Sequence, residues 1–123
     1  MSGAPRVINL RDTLARIDKP WNPKICAQVN DHDVRLAKIE GEFIWHKHDD
    51  ADESFLVIDG ELTMQLRTGD VTLRAGEMIV IPKGVEHCPK SERGCSVLLF
   101  EPSGVVNTGD QPASERTVEV GWV

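Results

Sequence analysis

From residue 34 to residue 101 the chain is cut into short apolar runs by glycine-bearing turns, and that punctuation restricts its fold more than any other feature. The runs are 34–39, 43–48, 54–58, 62–66, 71–73, 78–81 and 97–100. Between them stand Glu40 with Gly41, Asp59 with Gly60, Gly69 with Asp70, Gly76, Pro82 with Gly84, and the turn 91–94 ending in Gly94. Many short strands at regular spacing, each closed by a glycine turn, predict an antiparallel sandwich or barrel. Leu62, Met64 and Leu66 alternate with Thr63 and Gln65, as in a strand with one buried face.

The flanks read differently. Asn9 can cap a short helix whose Leu10, Leu14 and Ile17 share one face, and the breaker cluster 19–23, with Pro20 and Pro23, ends it. After Glu101 the chain turns polar, and 117–123 is expected to form a terminal strand anchored by Trp122. The expected organisation is one domain: lead-in and helix at 1–33, a barrel core at 34–101, and a polar segment with a last strand at 102–123. At 123 residues there is no room for a second core.

Composition excludes several functions. Acids outnumber bases by 20 to 14, the formal charge is −6, and no basic run interrupts that balance, so neither nucleic acid nor an anionic membrane is an expected partner. The longest apolar runs, 55–58 and 97–100, are far too short to span a bilayer. The start lacks the basic and apolar segments of a secretion signal, so a cytoplasmic protein is expected. Cys26, Cys88 and Cys95 are odd in number and lack CxxC spacing, which points to reduced thiols and away from a zinc ribbon or a disulfide framework.

Three of the four histidines are candidates for chemistry. His32 lies in a polar stretch with Asp31 and Asp33 and reads as a solvated surface residue. His46 and His48, two apart in a strand pattern, project to the same face and can converge on one ion. The polar tetrad 49–52 makes a turn, and Glu53 then opens the returning strand beside the two imidazoles. His87 starts another strand after the turn of Pro82 and Gly84. If the strand of His46 ran unbroken backwards, Lys38 and Glu40 would also point inward, although Gly41 is a natural place for a bulge. Phe43 and Trp45 fall on the opposite face from His46, where packing or a subunit contact is expected. Phe55 and Val57 share the face of Glu53 and should line the barrel wall.

Two spaced motifs tie these residues together. Gly41, four intervening residues, His46 and His48, four more, Glu53, six more and Gly60 resemble the first signature of the cupin superfamily. Gly76, five residues, Pro82 and Gly84, two residues and His87 resemble its second. The first gap is one residue shorter than the commonest form, and Ser91 stands where an asparagine is frequent; neither departure touches the histidines or Glu53. The resemblance spans about 34–101. It implies an all-β, double-stranded β-helix (jelly-roll) barrel with a short N-terminal helix, in which His46, His48, Glu53 and His87 hold one divalent transition metal. Three imidazoles and a carboxylate suit Mn, Fe, Co, Ni, Cu or Zn and are too nitrogen-rich for Ca or Mg.

The resemblance further implies a metal-dependent enzyme, an isomerase, lyase or dehydratase, or dioxygenase, acting on a small oxygen-rich molecule such as a sugar or carboxylate. Many small cupins carry the label mannose-6-phosphate isomerase-like. No glycine-rich loop opens a helix to cradle a phosphate, which weighs against a phosphosugar. The alternative is a non-catalytic module that binds or senses a small molecule through its metal, and a third reading gives iron a redox role with Cys88 nearby. A homodimer is expected from the resemblance, through the Trp45 side and the 117–123 tail.

Overall fold

A computed structural model describes residues 3–123; the first two residues of the expected lead-in lie outside the described residues. One short helix, α1 (Leu10–Leu14), precedes six strands: β1 (Lys24–Val29), β2 (His32–Glu42), β3 (Glu53–Leu66), β4 (Val71–Arg74), β5 (Met78–Ile81) and β6 (His87–Pro102). All pair antiparallel in the order β1-β2-β6-β3-β4, and β5 pairs with the first half of β3. The all-β jelly-roll architecture is the expected one.

The two long strands make the barrel. The first half of β3 lies against the end of β6, with Phe55 opposite Leu99, and its second half lies against the start of β6, with Leu66 opposite His87. Inward side chains alternate along each strand. Ala37, Ile39, Phe55, Val57, Leu62, Met64, Leu73, Ile81, Val97 and Leu99 form the main core. The outer face of the sheet is partly roofed by α1. Asn9 caps that helix by accepting the Asp12 amide, and Leu14 and Ile17 pack on Leu36.

Several elements differ from expectation for local reasons. Runs 54–58 and 62–66 are one strand, because Asp59 and Gly60 form a bend inside β3 with register shifts on both sides. The expected turn at 91–94 lies within β6. β1 was not among the expected runs; it pairs with β2 across a tight turn in which Asn30 takes φ +55°. Segment 43–48 is not a strand and joins the sheet through a single bridge between His46 and His87. Segment 117–123 is not a strand either: Trp122 bridges Ile25 once, and its side chain is 59% exposed, so it anchors little. No helix of the described residues is long and apolar enough to cross a membrane.

Candidate functional site

His46 and His48 stand on the irregular segment between β2 and β3, Glu53 is the first residue of β3, and His87 is the first residue of β6. The segment is held in place by its backbone. His46 and His87 exchange amide–carbonyl bonds of 2.9 and 3.0 Å, and the Gly84 amide donates to the His48 carbonyl at 2.8 Å. The turn that carries Pro82 and Gly84 therefore fixes both histidine-bearing segments at once.

The four side chains are between 0% and 7% exposed, and one nitrogen or oxygen from each lies within 4.8 Å of all the others. His46 and His87 turn Nδ1 towards a backbone carbonyl, Ile44 and Val85 respectively, each at 2.9 Å. A ring that donates from Nδ1 keeps its Nε2 lone pair for the centre of the site. Glu53 Oε1 lies 3.2 Å from His87 Nε2 and 3.3 Å from His48 Nε2. The His48 nitrogen is within ion-pair distance of Glu53 yet meets no well-aligned hydrogen-bond partner in its buried position. An imidazole nitrogen left without such a partner is available to an ion. Bonds of roughly 2.0–2.2 Å would place neighbouring ligand atoms about 3 Å apart and opposite ones about 4.2 Å apart, so closing the cluster by a few tenths of an ångström fits an ion.

The electrostatics agree with that use. Burial, then the neighbouring His87, pushes His46 down to about 4, which leaves it neutral and able to ligate. Burial alone would raise Glu53, but the adjoining His48 and His87 imidazoles hold it well below the usual carboxylate range. Three imidazole nitrogens and one carboxylate can bind a divalent transition ion, leave coordination positions open, and polarise a bound oxygen.

Two of these groups, His46 and Glu53, line a cavity of about 50 Å³, room for roughly three to five waters. Its wall is mainly apolar: Trp21, Ile39, Phe43, Phe55, Val97 and Leu99 line it beside His46 and Glu53. Trp21 and Phe43 stack at 4.8 Å, and Phe43 presents its edge to His46 at 5.3 Å. Trp21 holds φ +62°, its Nε1 donates to the Glu40 carbonyl, and Arg116 lies over its ring. Phe43 thus belongs to the cavity, contrary to expectation, because segment 43–48 lacks strand alternation. Trp45 does turn elsewhere, with the Arg67 guanidinium 3.7 Å from its ring centre.

Lys38 and Glu40 do not point inward. Gly41 at φ +81° and the register shift between Ile39 and Gly41 reverse the parity of β2, so Asp33, Arg35, Ala37 and Ile39 face inside. Sequence reasoning missed Asp33, Arg35 and Glu101. The signal for them is the same alternation: Asp33 and Arg35 are in step with Ala37 and Ile39, and Glu101 is in step with Val97 and Leu99. Arg35 donates from Nε and Nη2 to Asp33 Oδ2 at 3.2 and 2.9 Å, and from Nη1 to Glu101 Oε1 at 3.2 Å and the Val105 carbonyl at 2.9 Å. Burial, then the Glu53 charge, pushes the Glu101 carboxyl up to about 10 against the pull of Arg35.

Two other residues lie outside the site. His32 opens β2, stacks on Phe100 at 5.0 Å and bonds Asp31 at 2.8 Å. Cys88 is buried, and its thiol is pushed up to about 11, chiefly by burial and then by Glu42, so it stays protonated near neutrality.

The barrel and its inward cluster of three histidines and a glutamate define a small jelly-roll protein with a candidate metal centre in its interior. The chain belongs to the cupin family: the model of the cupin domain Cupin_2 matches residues 32–101, more than half of its length. It is 46% identical to a cupin-2 domain containing protein from Shewanella frigidimarina NCIMB 400, with a TM-score of 0.77 over 78% of this chain and 94% of that one. Uncharacterized protein YdbB of Bacillus subtilis (strain 168) is 44% identical over 66 residues, 53% of this chain and only 58% of that relative's length. Hydroquinone 1,2-dioxygenase from Sphingomonas sp. TTNP3, with 4-hydroxybenzoate bound, is 26% identical with a TM-score of 0.73, over 80% of this chain and 32% of that one.

Proposed function

We propose that the protein holds one divalent transition metal through His46, His48, Glu53 and His87 and is a metal-dependent enzyme acting on a small, flat molecule of phenol type. The observation that carries this reading is the cluster of the four side chains, two of which, His46 and Glu53, line a cavity whose wall is mainly aromatic and aliphatic. The ion would supply Lewis acidity and open positions for oxygen atoms. Trp21, Phe43 and Phe55 would hold the flat body of the substrate and exclude water.

Among the reaction classes expected from the resemblance, dioxygenation fits this cavity better than sugar isomerisation. A sugar brings several hydroxyls, and each one buried without a partner costs about 1–3 kcal/mol. The lining offers them little. Asn107 is engaged at both ends of its amide, with the Arg116 carbonyl and the Val118 amide, and Arg35 is engaged with Asp33, Glu101 and Val105. The likeness to hydroquinone 1,2-dioxygenase supports the same choice.

The test is metal analysis of tag-free protein beside a His48→Ala variant, followed by oxygen consumption with hydroquinone and catechol. About one equivalent of metal, lost in the variant, with oxygen uptake on a phenol is the expected result. Metal retained in the variant would overturn the ligand assignment. Turnover of sugars but not phenols would overturn the substrate class. The exposed apolar side chains of Met78 (61%), Val80 and Phe100 on the outer face support a homodimer, which light scattering would test.

A further inference from the structure

We infer that an acidic hollow on the outer surface beside His48 is the route by which the metal ion reaches the centre, with His48 as the ligand that turns aside to admit it. The inference rests on the assignment of His46, His48, Glu53 and His87 as ligands. It separates the way in for the ion from the cavity that would hold the substrate.

Two openings adjoin the four side chains, and they share no lining residue. His46 and Glu53 line the inner cavity, whereas His48 lines a hollow of about 410 Å³ with Lys47, Asp49, Asp50, Val106 and Asp110. A divalent ion in water carries a shell of about six oxygen ligands, which it gives up reluctantly. The inner cavity has room for roughly three to five waters, behind aromatic and aliphatic side chains, and desolvation strongly penalises a charge moved through such surroundings. The outer hollow has room for the hydrated ion and attracts it. Three carboxylates stand there against one ammonium, that of Lys47, which Asp49 already holds at 3.0 Å.

His48 differs from the other two histidines in a way that fits this route. His46 and His87 are each locked by Nδ1 on a backbone carbonyl at 2.9 Å. No well-aligned bond locks His48: its Nε2, 3.3 Å from Glu53, is buried without one, and its Nδ1 meets none among the described residues. At 7% it is also the most exposed of the four. Its backbone stays fixed, because the Gly84 amide holds its carbonyl and Gly109 packs on Lys47 beside it. The ring alone is thus free to turn. Since Nε2 is itself sealed from solvent, that turn is what opens the hollow to His46, Glu53 and His87, and the returning ring completes the set.

The test follows cobalt(II), through its visible absorption in stopped flow, as it is taken up by chelator-stripped protein and as it is lost to excess chelator. A narrowed route slows both directions equally and leaves affinity unchanged. Val106 lines the hollow and is 49% exposed, so Val106→Trp obstructs it from outside. That variant should slow uptake and loss each about tenfold, with Kd within about threefold of the wild type. Asp50→Lys should slow uptake about tenfold at low salt, and the difference should shrink as ionic strength rises. Trp21→Ala, which widens the inner cavity, should leave both rates unchanged. Wild-type rates in both Val106→Trp and Asp50→Lys, or faster uptake in Trp21→Ala, would overturn the inference. So would a change in Kd carried by the loss rate alone, which would mean that the hollow shapes the centre instead of leading to it. If Val106→Trp does not fold, Asp50→Lys and its salt dependence decide. A wild type that takes up no cobalt would instead overturn the ligand assignment, and the inference with it.

Discussion

Gly109 lies flat against the backbone of Lys47, between the two histidines of the candidate centre. The Asp110 amide donates to the Lys47 carbonyl at 3.0 Å, and Asp110 Oδ1 accepts the Lys47 amide at 3.0 Å. The C-terminal segment thereby supports a stretch that joins the sheet only through the His46–His87 bridge and the Phe43 amide bond to the Pro89 carbonyl.

A Cβ at position 109 would run into the Lys47 carbonyl and come within 3.1 Å of the His46 ring, at a φ of +58°. Gly109→Ala should therefore push His46 and His48 out of position. The expected outcome is a stability loss of about 1–3 kcal/mol with metal affinity reduced about tenfold or more, read by urea unfolding and metal titration. Unchanged affinity would show that the 46–48 segment holds its geometry without the strap.

Arg35 is the buried cation of the barrel, between Asp33 and Glu101. Replacing it with methionine keeps much of the volume but leaves Asp33 charged and without its ion partner. Breaking one half of a buried pair in this way costs about 3–5 kcal/mol. Arg35→Met should lower the urea midpoint accordingly, whereas Arg35→Met combined with Asp33→Asn should recover part of the loss. If the double variant were no better than the single one, the pair would owe its cost to packing instead of charge.

The barrel was legible because glycine turns and period-two runs are local signals, and the four candidate ligands were legible because their spacing is local within each motif. What escaped depended on parity over a distance. Whether Lys38 or Arg35 faces inside is decided at Gly41, where one irregular residue flips every side chain upstream. The pairing of Arg35 with Glu101 joins residues far apart in sequence across adjacent strands, and no spacing rule connects them. Segment 43–48 read as a strand from its apolar pattern, yet it is held mainly by the 82–87 turn and the strap at Gly109.

Gly60 shows how a turn-like signal can serve a strand. It takes φ +80° inside β3, and a Cβ there would lie 2.6 Å from the Gly94 carbonyl and 2.8 Å from the Cys95 Cβ. The close approach lets β3 bend against β6 where the barrel turns its corner. Gly60→Ala should destabilise by about 2–4 kcal/mol, from left-handed strain together with overpacking. Thermal unfolding would check it, with Gly69→Ala as the comparison, since Gly69 also has positive φ but faces open space. Similar losses at both positions would leave strain alone as the cause.

The acid response of the metal-free protein follows from His46. Its folded value of about 4 lies below the unfolded value of 6.5, so between the two the unfolded chain binds a proton that the folded chain refuses. Stability contributed by the neutral ring is present above about pH 6.5 and is lost as pH falls to about 4, on the order of 3 kcal/mol over the window. Glu53, held low, acts in the same direction at still lower pH. Glu101, pushed up to about 10, acts with the opposite sign from the ordinary carboxylate range upward. The His46 share is therefore isolated by difference. With metal removed by a chelator, the urea midpoint of the wild type should fall more steeply from pH 6.5 to 4 than that of His46→Gln, which has no proton to take up there. Parallel profiles would mean that His46 titrates in the folded barrel as it does in the unfolded chain, and that burial does not hold it neutral for an ion.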